Sequence, residues 1–109
     1  MERSGYEAAL AGKPVAIRRH FSVFVQANAL KRSRMGVIVS KKIAPRAVDR
    51  NRIKRLVREA FRQDRWQLGD NDLVVLARRC PPREGWQAAR GELAAIFVHL
   101  VQQLHPDIG

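Results

Sequence analysis

Closely spaced basic side chains between Arg50 and Arg65 are the residues of this sequence best suited to bind another molecule. The stretch holds seven basic residues and two acids, Glu59 and Asp64, so few i,i+4 salt bridges are available to neutralise it. The planar guanidinium fork of arginine matches a phosphate group with two parallel hydrogen bonds. A solvated charged face is the ordinary interpretation of such a pattern, but this excess of cations favours binding to a polyanion.

The spacing of apolar residues in the same stretch predicts an α-helix over Ala47–Arg65. One stripe recurs at i, i+3, i+4, i+7 and i+8 and should face a core: Ile53, Leu56, Val57, Ala60 and Phe61. At about 100° per residue, most of the basic side chains fall on the opposite side. We expect Asp49 to be the N-cap, which places Arg50 and Arg52 in the first turn, where the helix dipole disfavours cations. Cations in this position indicate a function that outweighs a cost of about 0.3–1 kcal/mol.

Residues that could carry out catalysis are scattered through the chain. His20, His99 and His105 show no metal-ligand spacing and no accompanying carboxylate cluster, and the sequence has no P-loop, GxGxxG or GxSxG motif. Cys80 has no candidate base beside it and, as the single cysteine, excludes an intrachain disulfide and a thiolate zinc cluster. The sequence therefore predicts a binding protein with no catalytic residues, no metal site and no cofactor of its own, in a reducing cytoplasm.

The charge of the chain indicates a nucleic-acid partner. It carries 21 Lys and Arg against 10 Asp and Glu in 109 residues, a net charge of +11. Thirteen of those basic residues and three of the acids lie between Lys31 and Arg65, so the charge is concentrated in one segment, as a binding surface requires. We expect no membrane partner, because no apolar run is long enough to span a bilayer and the N-terminus lacks the apolar region of a signal peptide.

The remaining periodicity predicts a single α/β (α+β) domain over residues 1–109, in the order αββαβα. In chain order the elements are a helix over 1–12, strands over 18–27 and 34–40, the basic helix, a strand over 72–79 and a helix over 85–105. The apolar run Val37-Ile38-Val39 is expected for a central strand, and Gly36 is expected to allow close approach of a neighbour. Phe24 interrupts the polar side of the first strand, where it either packs on the N-terminal helix or stacks a nucleotide base.

The basic helix contains a specific motif. Arg50-Asn51-Arg52 is followed by Lys54-Arg55 and by Arg58-Glu59-Ala60-Phe61-Arg62, and Ser40-Lys41-Lys42 precedes the run. The segment Arg34–Arg62 that holds these residues resembles the protein subunit of bacterial ribonuclease P. The resemblance covers nearly all of the chain, from Tyr6 to the last helix, although family members usually carry a further basic stretch ahead of the position matched by Tyr6.

The resemblance implies a fold and a function. The implied fold is a two-layer α/β sandwich with a small mixed sheet and a left-handed βαβ crossover, as in domain IV of elongation factor G; strand and helix physics alone favour a right-handed crossover. The implied function is that of the protein subunit of an endoribonuclease that removes the 5′ leader from precursor tRNA. In this family the catalytic RNA holds the active site and most of the Mg²⁺, so the implied partners are that RNA and precursor tRNA.

Two sets of site residues are implied by position. The implied contacts with the catalytic RNA are Arg46, Arg50, Asn51, Arg52, Lys54, Arg55, Arg58 and Arg62, with a possible Mg²⁺ ion near Asn51. The implied cleft for the single-stranded leader is formed by Tyr6, Leu10, Phe21, Ser22, Phe24, Ser40, Lys41 and Lys42.

Two other classes of function are compatible with the charge. A ribosomal protein bound permanently to ribosomal RNA is the alternative, and it predicts co-purification with ribosomes. A DNA-binding regulator would need a helix-turn-helix pair, whereas the basic helix here is flanked by predicted strands.

Overall fold

The computed structural model describes residues 3–28, 32–64 and 67–104. These residues form α1 (Arg3–Leu10), β1 (Ala16–Ile17), β2 (Phe21–Ala27), β3 (Arg34–Ile38), α2 (Ala47–Asp64), β4 (Asn71–Ala77) and α3 (Trp86–Leu104). The predicted order αββαβα is confirmed except for β1, a two-residue strand too short to show a period of two. Three residues named in the sequence analysis lie outside the described ranges: Lys31, Arg65 and His105.

The described strands form one mixed sheet in the order β1-β2-β4-β3. β2 runs antiparallel to β1 and to β4, whereas β3 runs parallel to β4. β4, which corresponds to the strand predicted over residues 72–79, is therefore an interior strand, as is β2. The central position predicted for the strand over 34–40 is wrong, because β3 lies at the edge of the sheet. β3, α2 and β4 form the βαβ unit for which the resemblance implies a left-handed crossover.

The hydrophobic core lies between one face of the sheet and the helices α2 and α3. The predicted stripe of α2 supplies Ile53, Leu56 and Val57, all buried, and α3 adds Leu93, Ile96, Phe97 and Leu100. The sheet contributes the alternate residues of β2 and β4 that point to this side: Phe21, Val23, Leu73, Val75 and Ala77. Burying each large side chain contributes about 1.5–3 kcal/mol, so the apolar stripe fixes α2 on the sheet and turns its basic side outward.

Helix α1 lies on the opposite face of the sheet. Met35 and Val37 of β3 pack against the main core, so the residue between them, Gly36, points to the other side. There the Tyr6 ring of α1 lies so close that a Cβ atom at residue 36 would overlap it. The prediction that Gly36 allows close approach of a neighbour is confirmed.

Helix α2 begins at Ala47, the first residue of the predicted range, but its N-cap is not the predicted one. The backbone carbonyl of Arg46 accepts hydrogen bonds from the N–H groups of Asp49 (3.1 Å) and Arg50 (3.2 Å), so Arg46 precedes the first turn. The assignment of Asp49 as N-cap is wrong, because this residue lies inside the first turn. Its carboxylate still interacts favourably with the helix dipole there. Among the described residues, no helix has the length and apolarity needed to cross a membrane.

Candidate nucleic-acid interface

The outward side of α2 carries a row of cations. A groove of about 440 Å³ follows it, lined by Asn51, Lys54, Arg55, Arg58, Glu59 and Arg62. The ion pairs of the described residues join His20 to Glu92 and Arg34 to Asp72, so in this part of the protein Arg55, Arg58 and Arg62 pair with no carboxylate. Their guanidinium groups are exposed and available for phosphate.

Two of the predicted RNA-binding residues also shape the start of α2. One guanidinium nitrogen of Arg50, Nη1, donates hydrogen bonds of 2.9 Å to the carbonyl oxygens of Ala44 and Pro45. Arg50 therefore fixes the loop between β3 and α2, and Ala44 is fully buried at that point. The side chain of Arg46 is exposed beside this turn.

Arg52 is held by an aromatic residue, Trp86, and the sequence does not predict this contact. Its guanidinium carbon lies 4.1 Å from the centroid of the Trp86 ring, at the first residue of α3. A cation over an indole face is stabilised by the ring quadrupole, by about 0.5–1 kcal/mol at exposed sites. No sequence signal joins residues so far apart in the chain, because the contact depends on how α2 packs against α3.

The face of the sheet toward α1 presents three rows of side chains. Strand register aligns Gln26, Asp72 and Arg34 in the first row, Phe24, Val74 and Gly36 in the second, and Ser22, Leu76 and Ile38 in the third. Tyr6 lies over the middle row, whose Phe24 is half-buried. This aromatic floor is suited to unpaired bases, which stack on such rings with little sequence preference.

Most of the predicted cleft residues belong to this face or border it. Leu10 is 37 % exposed at the end of α1, and Ser22 lies on the face with little exposure. The assignment of Phe21 to the cleft is wrong: it points to the opposite side, into the main core, and has no exposed surface. Ser40, Lys41 and Lys42 are exposed in the turn after β3, where Ser40 Oγ accepts a 3.2 Å hydrogen bond from the N–H of Ile43.

A polar cluster that was not predicted lies in the first row. Arg34 donates two hydrogen bonds to Asp72, from Nε to Oδ1 (2.8 Å) and from Nη2 to Oδ2 (2.6 Å), and Asn28 donates a third, to Oδ1 (2.8 Å). The bonds from Arg34 lower the pKa of Asp72, against the opposing effect of burial, and the bond from Asn28 lowers it further. A fixed guanidinium therefore lies on the same face as Phe24 and Tyr6.

Lys54 joins the two surfaces. It lines the groove along α2 and also a cavity of about 510 Å³ beside β3, together with Tyr6, Glu7, Val37, Ile38 and Val39. Because β3 is the edge strand of the described sheet, no described strand separates α2 from the α1 side at this point. Lys54 therefore lies where the groove along α2 meets the cavity beside β3.

The candidate catalytic residues of the sequence remain separate. Among the described residues, no three His, Cys, Asp or Glu side chains come together as a potential metal site. Burial raises the pKa of the Cys80 thiol, and nearby Asp49 raises it further, so the reactive thiolate is disfavoured. His20 is buried, with Nδ1 2.7 Å from Oε2 of Glu92, and fastens the β1–β2 turn to α3. These contacts are structural.

Comparison with known proteins shows which family this chain is similar to. The family model described as Ribonuclease P matches residues 1–101. The chain belongs to the ribonuclease P protein family. The motif Arg50-Asn51-Arg52 and the residues that follow it in α2 thus lie inside the matched region.

Two members of the ribonuclease P protein family show how much of the sequence is shared. The "Ribonuclease P protein component" of Ralstonia pickettii is 37 % identical over 99 residues, covering 84 % of this chain and 71 % of that protein. The component of the same name from Thioalkalivibrio sulfidiphilus is 51 % identical over 70 residues, covering 64 % of this chain and 57 % of the relative. The second match therefore spans little more than half of the relative's length.

Solved structures of ribonuclease P proteins share the fold. The protein from Thermotoga maritima superposes with a TM-score of 0.72 at 27 % identity, covering 89 % of this chain and 91 % of that one. The protein from Staphylococcus aureus gives a TM-score of 0.70 at 27 % identity, covering 94 % and 90 % of the two chains. The mixed α+β fold predicted from the sequence is confirmed.

Proposed function

We propose that this chain is the protein subunit of ribonuclease P and binds its catalytic RNA through the outward side of α2. The observation that carries the proposal is the row of exposed guanidinium groups, Arg55, Arg58 and Arg62, which have no carboxylate partner among the described residues. A surface helix stabilised by its own charges would pair them with acids at i,i+4. Arginines that line a groove without a described carboxylate partner match the bidentate geometry of RNA phosphates instead.

The face of the sheet toward α1 binds the 5′ leader of precursor tRNA in this proposal. Tyr6 and Phe24 supply aromatic surface for unpaired bases, and Arg34 supplies a cation fixed by Asp72. Lys41 and Lys42, exposed in the turn after β3, attract the phosphates of the same strand. A single strand is the preferred ligand, because a base can stack only when it is not paired inside a duplex.

Cleavage is assigned to the RNA subunit. Mg²⁺ prefers carboxylate, carbonyl and water oxygens, whereas Asn51 shares its groove with four cations and, among the described lining residues, one carboxylate, Glu59. These residues do not fit a protein-held Mg²⁺ site, so we place the ion with the RNA and give the protein the role of binding both RNAs. The cytoplasm is the compartment that this role and the single cysteine favour.

Reconstitution tests the proposal. The protein is combined with a bacterial ribonuclease P RNA and a precursor tRNA, and 5′ cleavage is followed at limiting Mg²⁺ with either component omitted. We expect cleavage to require the RNA, to increase when the protein is added, and to be absent with the protein alone.

The salt dependence of binding to the catalytic RNA is measured in parallel. If roughly five to eight cations meet phosphates, the plot of log K against log salt should slope by about −4 to −7. Cleavage by protein freed of RNA, a slope near zero, or tight binding to ribosomal RNA in preference to ribonuclease P RNA would contradict the proposal. The last result would favour a ribosomal protein.

A further inference from the structure

A second cationic groove lies between α2 and α3. Its volume is about 490 Å³, and its lining includes Arg52 and Arg55 from α2 and Trp86, Gln87 and Arg90 from α3. The buried side chain of Leu56 also lines it. It adjoins a further section of about 260 Å³ that shares the residues Leu56, Glu59 and Arg90. Arg90 therefore lies where the two sections meet.

The charge of this groove is not explained by packing between the helices. Three guanidinium groups line it, from Arg52, Arg55 and Arg90, whereas Glu59 is the one carboxylate among its described lining residues. Glu59 and Arg90 line both sections, yet no ion pair joins them in the described part of the protein. Two helices held together by electrostatics would pair these charges, so the excess cations are available for an anion.

Trp86 fixes one of the three cations. Arg52 is an exposed residue of α2, and its guanidinium carbon lies 4.1 Å from the centroid of the Trp86 ring, which itself packs against the core. An arginine supported by a ring on one side loses less side-chain freedom when it binds a phosphate. The edge of the guanidinium, which carries the N–H donors, stays available while the ring covers its face.

From these observations we infer that the α2–α3 groove binds a second segment of the catalytic RNA by its sugar–phosphate backbone. Arg52 and Arg90 contact phosphates from the two sides of the groove, and Trp86 is a positioning residue that acts through Arg52. The inference rests on the proposed function and extends the RNA-binding surface from α2 onto α3. The ligand is a backbone segment because the described lining offers three guanidinium forks and its one described aromatic ring is covered by Arg52.

Arg90→Gln tests the contact from α3, with Arg83→Gln as the matched control. Both residues are exposed and both substitutions remove one positive charge, but Arg83 precedes α3 and does not line the groove. Affinity for ribonuclease P RNA is measured across a range of salt concentrations. We expect Arg90→Gln to weaken binding about fivefold to tenfold and to make the salt slope shallower by about 0.9, and Arg83→Gln to change neither. Equal effects of the two substitutions would overturn the inference.

A double-mutant cycle tests the role of Trp86. Trp86→Leu, Arg52→Gln and the double variant are compared for RNA affinity and for thermal unfolding, with Trp86→Phe as a variant that keeps a ring. If Trp86 acts by holding Arg52, its loss weakens RNA binding in the native background and has no further effect when Arg52 is already glutamine. The same loss of affinity in both backgrounds would show a structural role and overturn this part of the inference.

Arg58→Ala separates failure of this inference from failure of the proposed function, because Arg58 does not line the α2–α3 groove. If Arg58→Ala weakens RNA binding but Arg90→Gln does not, the second contact is wrong and the proposed function stands. If neither substitution weakens binding, both are wrong.

Discussion

At the level of single residues, the two proposed RNA surfaces differ in how their cations are held. Arg34, on the face toward α1, is fixed by two hydrogen bonds to Asp72, a buried carboxylate that is 4 % exposed. Arg55 and Arg58, on α2, are exposed and have no described carboxylate partner. The first arrangement holds a charge in one place, which suits the proposed single-stranded leader, whereas the exposed charges of the second can adapt to the large folded RNA proposed as its ligand.

The hydrogen bonds between Arg34 and Asp72 make the stability of the fold depend on pH. Because the bonds from Arg34 lower its pKa in the folded protein, Asp72 stabilises the fold above the pKa of an unfolded aspartate, about 3.9, and this contribution is lost as pH falls toward the lowered value. We expect the free energy of unfolding to decrease below roughly pH 5 in the native protein and to decrease less in Asp72→Asn. Denaturant unfolding at a series of pH values measures it, with the exposed Asp70→Asn as control. Parallel pH profiles for native protein and Asp72→Asn would contradict the assignment.

At the level of secondary-structure elements, the position of α1 determines whether the aromatic face exists. Tyr6 reaches the sheet only because residue 36 has no side chain. Ala9, one turn further along α1, is buried and outside the main core. The packing of α1 on the sheet therefore depends on the small residues Ala9 and Gly36 and on the Tyr6 ring.

Gly36→Ala should therefore displace the Tyr6 ring and weaken binding of leader-bearing precursor tRNA by about tenfold, the loss of one stacked base. In a Tyr6→Ala background the same substitution should have no further effect on that affinity, since the ring is already absent. Gly91→Ala in α3 is the control, because a Cβ there meets nothing within 4 Å and alanine favours a helix. An undiminished affinity in Gly36→Ala would exclude Tyr6 from the leader site.

Whether a feature could be predicted from the sequence depends on how far apart along the chain its interacting residues lie. The helical period marked α2 and its buried stripe, and local patterns placed β2, β3, β4 and α3. The edge position of β3 and the contact between Arg52 and Trp86 depend on packing between distant segments, which no local period encodes. The resemblance implies both Phe21 and Ser22 in the cleft, but neighbouring residues of β2 point to opposite faces, and the alternation alone does not reveal which face α1 covers.

At the level of the whole molecule, the two proposed binding surfaces lie on opposite sides of one small sheet. The main core fixes α2 on one side, α1 covers part of the other, and Lys54 lies where the two surfaces meet at the edge strand β3. In the proposed function, a net charge of +11 would attract both RNAs to the protein. If both RNAs bind to this one scaffold, as proposed, less orientational freedom is lost when the substrate meets the catalytic RNA.

The central claim is that these surfaces bind different RNAs, and one crossed measurement of affinities tests it. Arg58→Ala and Phe24→Ala are each assayed against catalytic RNA alone and, as the holoenzyme, against precursor tRNA with a leader and mature tRNA. Phe24→Leu and the thermal midpoint of each variant control for packing of this half-buried ring.

We expect Arg58→Ala to weaken catalytic-RNA binding by about 1–2 kcal/mol with little change in thermal midpoint. Phe24→Ala should leave that binding intact and weaken leader-bearing precursor by about 1–3 kcal/mol while barely affecting mature tRNA. Equal losses of affinity for precursor and mature tRNA in Phe24→Ala would contradict the account.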